Sequence, residues 1–344
     1  MASAAISGPY KSLSTLSAIR DSNGNRPVEA EVAEILEQNN PVDELLLWRP
    51  SNKLKHHETM KRVLLPTIYE RKVNQAIPYS KQERGMNVWN TVHLEAQAAT
   101  DVMALEGLSP AEQAWEKMDD ARSFIQAMAI KRASLIFNGS ADTDVQRMGG
   151  ILDVYSTVDS AVSPIFSQVV DGLGTGSDNT TMFLADLTAN GIFGIIPKES
   201  KNMGIQVKDL GEGDVPALDA SGAAGFIRAQ RSQFMSDLGI CVNDYTLSSR
   251  VANIDISELA GGDAPSITEL ALKMYYRAKN VGVGKKAIFL NSTLAYQWHL
   301  QDRREVKTGG QLSFAEIDGK KRMVFMGIPV IICDAITNAY ARVV

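Results

Sequence analysis

Along the chain the spacing of apolar residues changes period several times, and each change marks an element. From Val88 to Ala98 apolar and polar residues alternate, with Val88, Val92, Leu94, Ala96 and Ala98 on one side of the count and Trp89, Thr91, His93, Glu95 and Gln97 on the other. Only Asn90 breaks the rule, so the period of two predicts a strand with one mostly apolar face. An earlier run, Met60 to Tyr69, supplies an antiparallel partner, with Pro66 tolerable only at an edge or a bulge. The stretch between them, through Ile77, Pro78, Tyr79 and Gly85, holds too few apolar residues for a core. A long hairpin projecting from the body is therefore expected.

The period then switches to that of a helix. Ser109, Pro110 and Glu112 form a helix start with a capping box, and Asn138 and Gly139 end it. The result is a helix over 109–137, roughly 28 residues and about 42 Å long at ~1.5 Å per residue. Its apolar side runs through Trp115, Met118, Ala121, Ile125, Met128 and Leu135. Glu112, Glu116, Asp119 and Asp120 cluster near its start, with Lys131 and Arg132 near its end, an order that complements the helix dipole.

After Gly150 short apolar runs separated by Gly, Asp and Pro predict strands at Met182 to Leu187, Gly191 to Ile196, Ile205 to Leu210 and Phe226 to Phe234. A second capping box, Ser266 with Glu269, opens a helix; a strand from Ala287 to Leu290 and a helix from Ser292 through Trp298 follow. Met323 to Met326 and Ile328 to Ile332 close the chain as strands with a bend at Gly327. At the other end, residues 1–25 are rich in Ser, Ala, Asn and Gly and read as an arm, followed by a short helix opened by Pro27.

Charge changes this picture in one place. Between Ser51 and Arg84 eight basic residues face three acidic ones, a local surplus of five positive charges. The whole chain carries -5, so the remainder carries -10. Segregation of this kind suggests complementary surfaces. A long charged hairpin without core contacts costs conformational entropy unless it docks. The expected contact sets Arg62, Arg71, Lys72 and Arg84 against the Glu112, Glu116, Asp119 and Asp120 of another copy. The acidic balance argues against a dedicated nucleic-acid binder.

Candidate chemistry adds little. The 344 residues are 44% hydrophobic, enough for a substantial core. Cys241 and Cys333 are too few for a disulfide framework and read as small buried apolar residues in a reducing cytoplasm. The first ten residues lack the features of a secretory signal, and Met326 to Cys333, the most apolar stretch, is too short to span a bilayer. Gly172, Gly174 and Gly176 with Ser177 and Asp178 lack the spacing of a dinucleotide or P-loop site and read as a flexible turn. His56 and His57 are adjacent, His93 and His299 solitary, and no zinc spacing or nucleophile elbow is present. No catalytic, cofactor-binding or metal-binding residue is assigned.

The order of these parts, an arm, a basic hairpin, one long helix and an α/β domain, resembles the fold shared by tailed-bacteriophage major capsid proteins. Five strings carry the resemblance: Leu65 to Thr67 with Arg71, Asn74 and Gln75; Gly174 to Thr180; Gly191 to Lys198; Lys208 to Gly211; and Arg250 to Ile254. The resemblance implies an α+β chain with an N-terminal arm over 1–50 and an extended hairpin loop over 51–98. A peripheral domain would follow over 99–148, with its spine helix, then an axial domain over 149–320. Residues 321–344 would be C-terminal strands, with a return to the peripheral domain left open. It implies a structural subunit of an icosahedral shell of pentamers and hexamers enclosing double-stranded DNA, assembled in the bacterial host cytoplasm and resident in the virion. Expected partners are other copies, a separate scaffolding protein, since no long extension precedes the arm, a portal, and a decoration protein as a further candidate. Contact with packaged DNA would be unspecific. No membrane is involved. The alternatives are the shell of a bacterial encapsulating nanocompartment, and a phosphate-binding enzyme using the Gly172 to Gly176 loop.

Overall fold

The computed structural model describes residues 41–106, 108–141, 147–198, 200, 204–218, 224–261, 265–304, 312–317 and 320–344. The arm up to residue 40, with the short helix expected at Pro27, lies outside the described residues. From Pro41 onward helix α1 (Val42–Leu45) buries Val42 completely, and strand β1 (Trp48–Pro50) pairs in parallel with β6 (Ile192–Ile196).

The elements after β1 are, in chain order, β2 (His56–Leu64), β3 (Glu83–Asp101), α2 (Val102–Leu105), α3 (Pro110–Asn138), α4 (Ile151–Val154), β4 (Val169–Asp171), β5 (Asn179–Asp186), β6, β7 (Ile205–Leu218), β8 (Ala224–Val242) and β9 (Ser249–Asp255). Then come α5 (Ile256–Gly261), α6 (Ile267–Arg277), β10 (Lys286–Leu290), α7 (Ser292–Arg304), β11 (Leu312–Ile317), β12 (Lys320–Phe325) and β13 (Ile328–Ile332). One sheet has the order β1-β6-β8-β3-β2, with β7 paired to β8, and the other has the order β11-β12-β13-β10-β5-β9-β4. The closing strands join the second sheet, β13 lying parallel to β10.

The chain divides into two compact units. Among the described residues, the larger holds those within 38–97, 121–208 and 233–344. Its second sheet is covered on both faces, which is why β5, β9 and β10 are buried at every position and read as continuous apolar runs. Met182, Leu184, Val251 and Ile288 pack with Leu270, Met274 and Trp298 of α6 and α7. Phe183, Ala185 and Phe289 point the other way, into a core shared with Ile136 and Phe137 of α3. Arg250 is buried on β9 with no carboxylate partner among the described residues; its guanidinium donates to the carbonyls of Leu152 and Tyr155 and to the Thr181 hydroxyl.

The smaller unit holds 98–120 and 209–232 among the described residues. Its segment 209–232 is carried by β7 and β8, which are far longer than the apolar runs that announced them. Asp101 accepts from the Met103 amide to start α2, and Gln113 donates to the carbonyls of Leu105 and Leu108.

Three local expectations need correction. The capping box at Ser266 does not form: the Ser266 side chain makes no cap bond, and Gln301 of α7 accepts from the Ile267 amide instead. The apolar side read for α3 is the buried one only toward its end, at Met128, whereas Trp115, Met118 and Ile125 stay exposed. Arg132 does not serve the helix dipole, being buried in an ion pair with Asp43.

Candidate interaction surface

The hairpin of β2 and β3 is antiparallel, with His57 opposite Trp89, Thr59 opposite Asn87, Met60 opposite Met86 and Arg62 opposite Arg84. Its first strand starts at His56 and ends at Leu64, earlier than the sequence pattern placed it, so Pro66 falls beyond the ladder. Side chains alternate across a strand, and here the two faces have different fates. One face lies on the chain's own body. The His57 ring meets Phe193 edge-on with centroids 5.7 Å apart, the Trp89 indole donates to the Thr59 hydroxyl at 3.0 Å, and Lys61 Nζ sits 4.8 Å from the centre of the Tyr245 ring. Trp89, counted with the polar set, thus packs inward, while Val88, counted with the apolar set, is half exposed.

The other face carries Met60, Met86 and Val88 with Arg62 and Arg84, and all of them are exposed. Two arginines directly opposite each other repel, so this end of the ladder gains nothing from its own charges. Beyond it, residues 65–82 form no regular structure. The segment is held by a turn from the Gln75 amide to the Lys72 carbonyl, with Asn74 at φ 64, and by the Ser80 hydroxyl donating to the Thr67 carbonyl. Arg71 and Lys72 lie on it, exposed, among Ile68, Val73 and Tyr79, which have almost no cover at all. An eighteen-residue span of this kind inside a compact protein is a functional loop more often than an accident.

Lys61 departs from the set counted as basic surface. Burial lowers its pKa, against the opposing pull of Asp244 and Cys241, and it belongs to the inward face.

On the smaller unit, the capping box at the start of α3 is formed as the sequence indicates. The Glu112 carboxylate accepts from the Ser109 amide at 2.8 Å and from its hydroxyl at 2.7 Å. Asp120 accepts from the Thr100 hydroxyl at 2.8 Å, Asp119 is half-buried, and the side chain of Glu116 lies outside the described residues. Residues 98–120 hold six acidic side chains against one basic, the inverse of the hairpin's surplus. Trp115, Met118 and Met103 are exposed on this unit, and so is Phe226 of β8.

The glycine loop is no loose turn. Gly172 and Gly174 donate to the carbonyls of Ala252 and Asn253, continuing the parallel pairing of β4 with β9. A Cβ on Gly174 would lie 2.7 Å from both Asn179 Oδ1 and the Asn253 carbonyl. Carboxylate oxygens of Asp178 and Asp255 flank Gly176. Hydrogen bonds, first from the Ser257 hydroxyl and then from the Glu258 amide, hold the Asp255 carboxyl below its usual range. Two carboxylates at the loop oppose a phosphate there. Cys241 and Cys333 are buried, and burial pushes both thiols up to about 12, away from nucleophilic use.

A family model described as major capsid protein GP7 matches residues 22–344. No curated protein matches the sequence. Among solved structures, a chain of bacteriophage Epsilon15 has 20% identity, covers 99% of this chain and of its own, and has a TM-score of 0.70. The bacteriophage JBD30 capsid chain has 9% identity, covers 93% of this chain and 98% of its own, and has a TM-score of 0.47. The SrpI encapsulin of Synechococcus elongatus has 11% identity, covers 71% of this chain and 97% of its own, and has a TM-score of 0.42. The Epsilon15 likeness shows the fold; the two weaker ones add nothing to it.

Proposed function

The chain belongs to the major capsid protein GP7 family, a structural subunit of the virion shell, and from that premise we propose how its copies hold one another. Copies close into pentamers and hexamers of an icosahedral shell around double-stranded DNA. The free face and tip of each hairpin lie across the acidic start of α3 on a neighbour. The observation that carries this reading is the hairpin itself: one face is spent on the chain's own body, while the opposite face and tip present apolar and cationic side chains that the chain leaves uncovered.

A shell of identical chains uses heterologous contacts that close around symmetry axes, and an extended loop lets one sequence meet different local curvatures. Cohesion comes from apolar area, at about 25 cal/mol per Å² removed from water, supplied by groups such as Ile68, Tyr79 and Met86. Arg62, Arg71, Lys72 and Arg84 add at most about 1 kcal/mol per exposed pair with Glu112, Glu116, Asp119 and Asp120, and mainly select register and orientation. The reading expects a separate scaffolding protein, a portal and a decoration protein as partners, and only unspecific contact with DNA given a net charge of -5.

Electron microscopy of the chain expressed with its neighbouring genes tests the proposal. Closed shells are expected; a chain that stays monomeric across salt and concentration, with and without those genes, would overturn it.

A further inference from the structure

The hairpin's inward face stops abruptly. Its alternate residues His57, Thr59 and Lys61 each have a partner, Phe193, Trp89 and Tyr245. The next residue in that series, Val63, is two-thirds exposed. Between Arg62 and Leu64 the register with β3 shifts, leaving Val63 without a partner in the ladder, and its side chain leans over Gly85, the partner of Lys61, whose missing Cβ would come 2.9 Å from Val63 Cγ2. A bulge bends a strand locally and leaves one residue unpaired. A glycine beside it on the partner strand removes the side chain that would crowd the bend.

Tyr245 is a firm platform. It opens the 3₁₀ turn Tyr245–Leu247, where Asp244 accepts from the amide and hydroxyl of Thr246, and its own carbonyl accepts from the buried Tyr155 hydroxyl. An ammonium over an aromatic face is attracted by the ring's quadrupole, more strongly as water is excluded, and Lys61 is half-buried there. The Asp244 carboxylate nearby favours its charge.

We propose that Lys61 on the Tyr245 ring is a latch that fixes the proximal hairpin to the body, and that the shift at Val63 and Gly85 is the hinge about which the distal segment swings. Lys61 is then a positioning residue. It decides where the rigid part ends and so the range of directions in which the loop can reach a second copy. This rests on the assembly reading above, but the latch can be tested without assembly.

Hydrogen exchange of the unassembled full chain reads it directly. Lys61→Ala should speed exchange of the amides in 56–62 and 84–90 by about three- to tenfold, with the second sheet unchanged, and Lys61→Arg should restore protection because guanidinium also stacks on the ring. Tyr245→Leu keeps apolar bulk and should reproduce the Lys61→Ala effect. Unchanged exchange in both variants, or acceleration spread over the whole unit, would overturn the latch. In assembly, Lys61→Ala should broaden the size distribution of closed particles; a distribution identical to that of the unaltered chain would remove the positioning role. Failure of the unaltered chain to form shells would count against the assembly reading and leave the exchange result standing.

Discussion

Removing the carboxylate of Asp43 is expected to destabilise the subunit more than removing the arginine it holds. Arg132 Nε and Nη2 each donate to one carboxylate oxygen of Asp43 at 2.8 Å, and Nη1 donates to the Ser236 hydroxyl, which in turn donates to the Gly204 carbonyl. The guanidinium also lies 5.2 Å from the centre of the Trp48 ring. The two partners differ in access to water: the Arg132 side chain is 3% exposed and the Asp43 side chain 32%. In Asp43→Ala the buried cation keeps only a hydroxyl and a ring, which costs about 3 kcal/mol, the low end for breaking a buried pair because Asp43 is partly wet. In Arg132→Met the stranded carboxylate turns to solvent and the thioether fills part of the gap, which costs about 1 kcal/mol. Urea unfolding of the unassembled chain, followed by tryptophan fluorescence, gives the order of midpoints. A lower midpoint for Arg132→Met than for Asp43→Ala, or no loss in Asp43→Ala, would refute the argument from asymmetric burial.

Three further outcomes are expected. Reversing Arg71 and Lys72 to Glu should leave folded, soluble protein that fails to close shells near 0.15 M salt, where the screening length is about 8 Å, and partly recovers at higher salt; normal particles at low salt would defeat the docking scheme. His57 is held below its ordinary 6.5 by burial first and by Arg49 second, so between its lowered value and 6.5 the unfolded chain binds more protons. Stability from this contact is therefore full above that window and falls as pH drops through it; the loss in denaturant midpoint from pH 7 to pH 5 should shrink in His57→Phe, and an unchanged loss would remove His57 from the account. Gly174→Ala should cost about 1–3 kcal/mol because its Cβ meets two fixed oxygens, while Gly282→Ala, with nothing within 4 Å, should be nearly neutral in the same unfolding assay.

Much of the fold was legible because some of its signals are local. Ser109, Pro110 and Glu112 lie within one turn of each other, and the bonds they make are the ones their spacing indicates. Ser266 and Glu269 have the same spacing, yet the cap there comes from Gln301, 34 residues away, which no local pattern encodes. Phe226 to Phe234 marked a strand, but β8 runs from Ala224 to Val242, mostly exposed or half-buried in its first half and fully buried at its end, so no single period describes it. Trp89 was misplaced for a related reason: where β3 pairs with β2 the face that meets the body is the one carrying Trp89, and alternation alone assigns the buried face to the side with more apolar residues.

Local pattern was enough to read an α+β chain with a basic hairpin, a capped long helix and an acidic cluster at that helix's start, since period, caps and charge are properties of neighbours along the backbone. Which cations remain on the surface emerges only once the chain is folded. Lys61 faces Tyr245 and Arg132 faces Asp43, across 184 and 89 positions, and such pairings depend on how distant elements pack against one another.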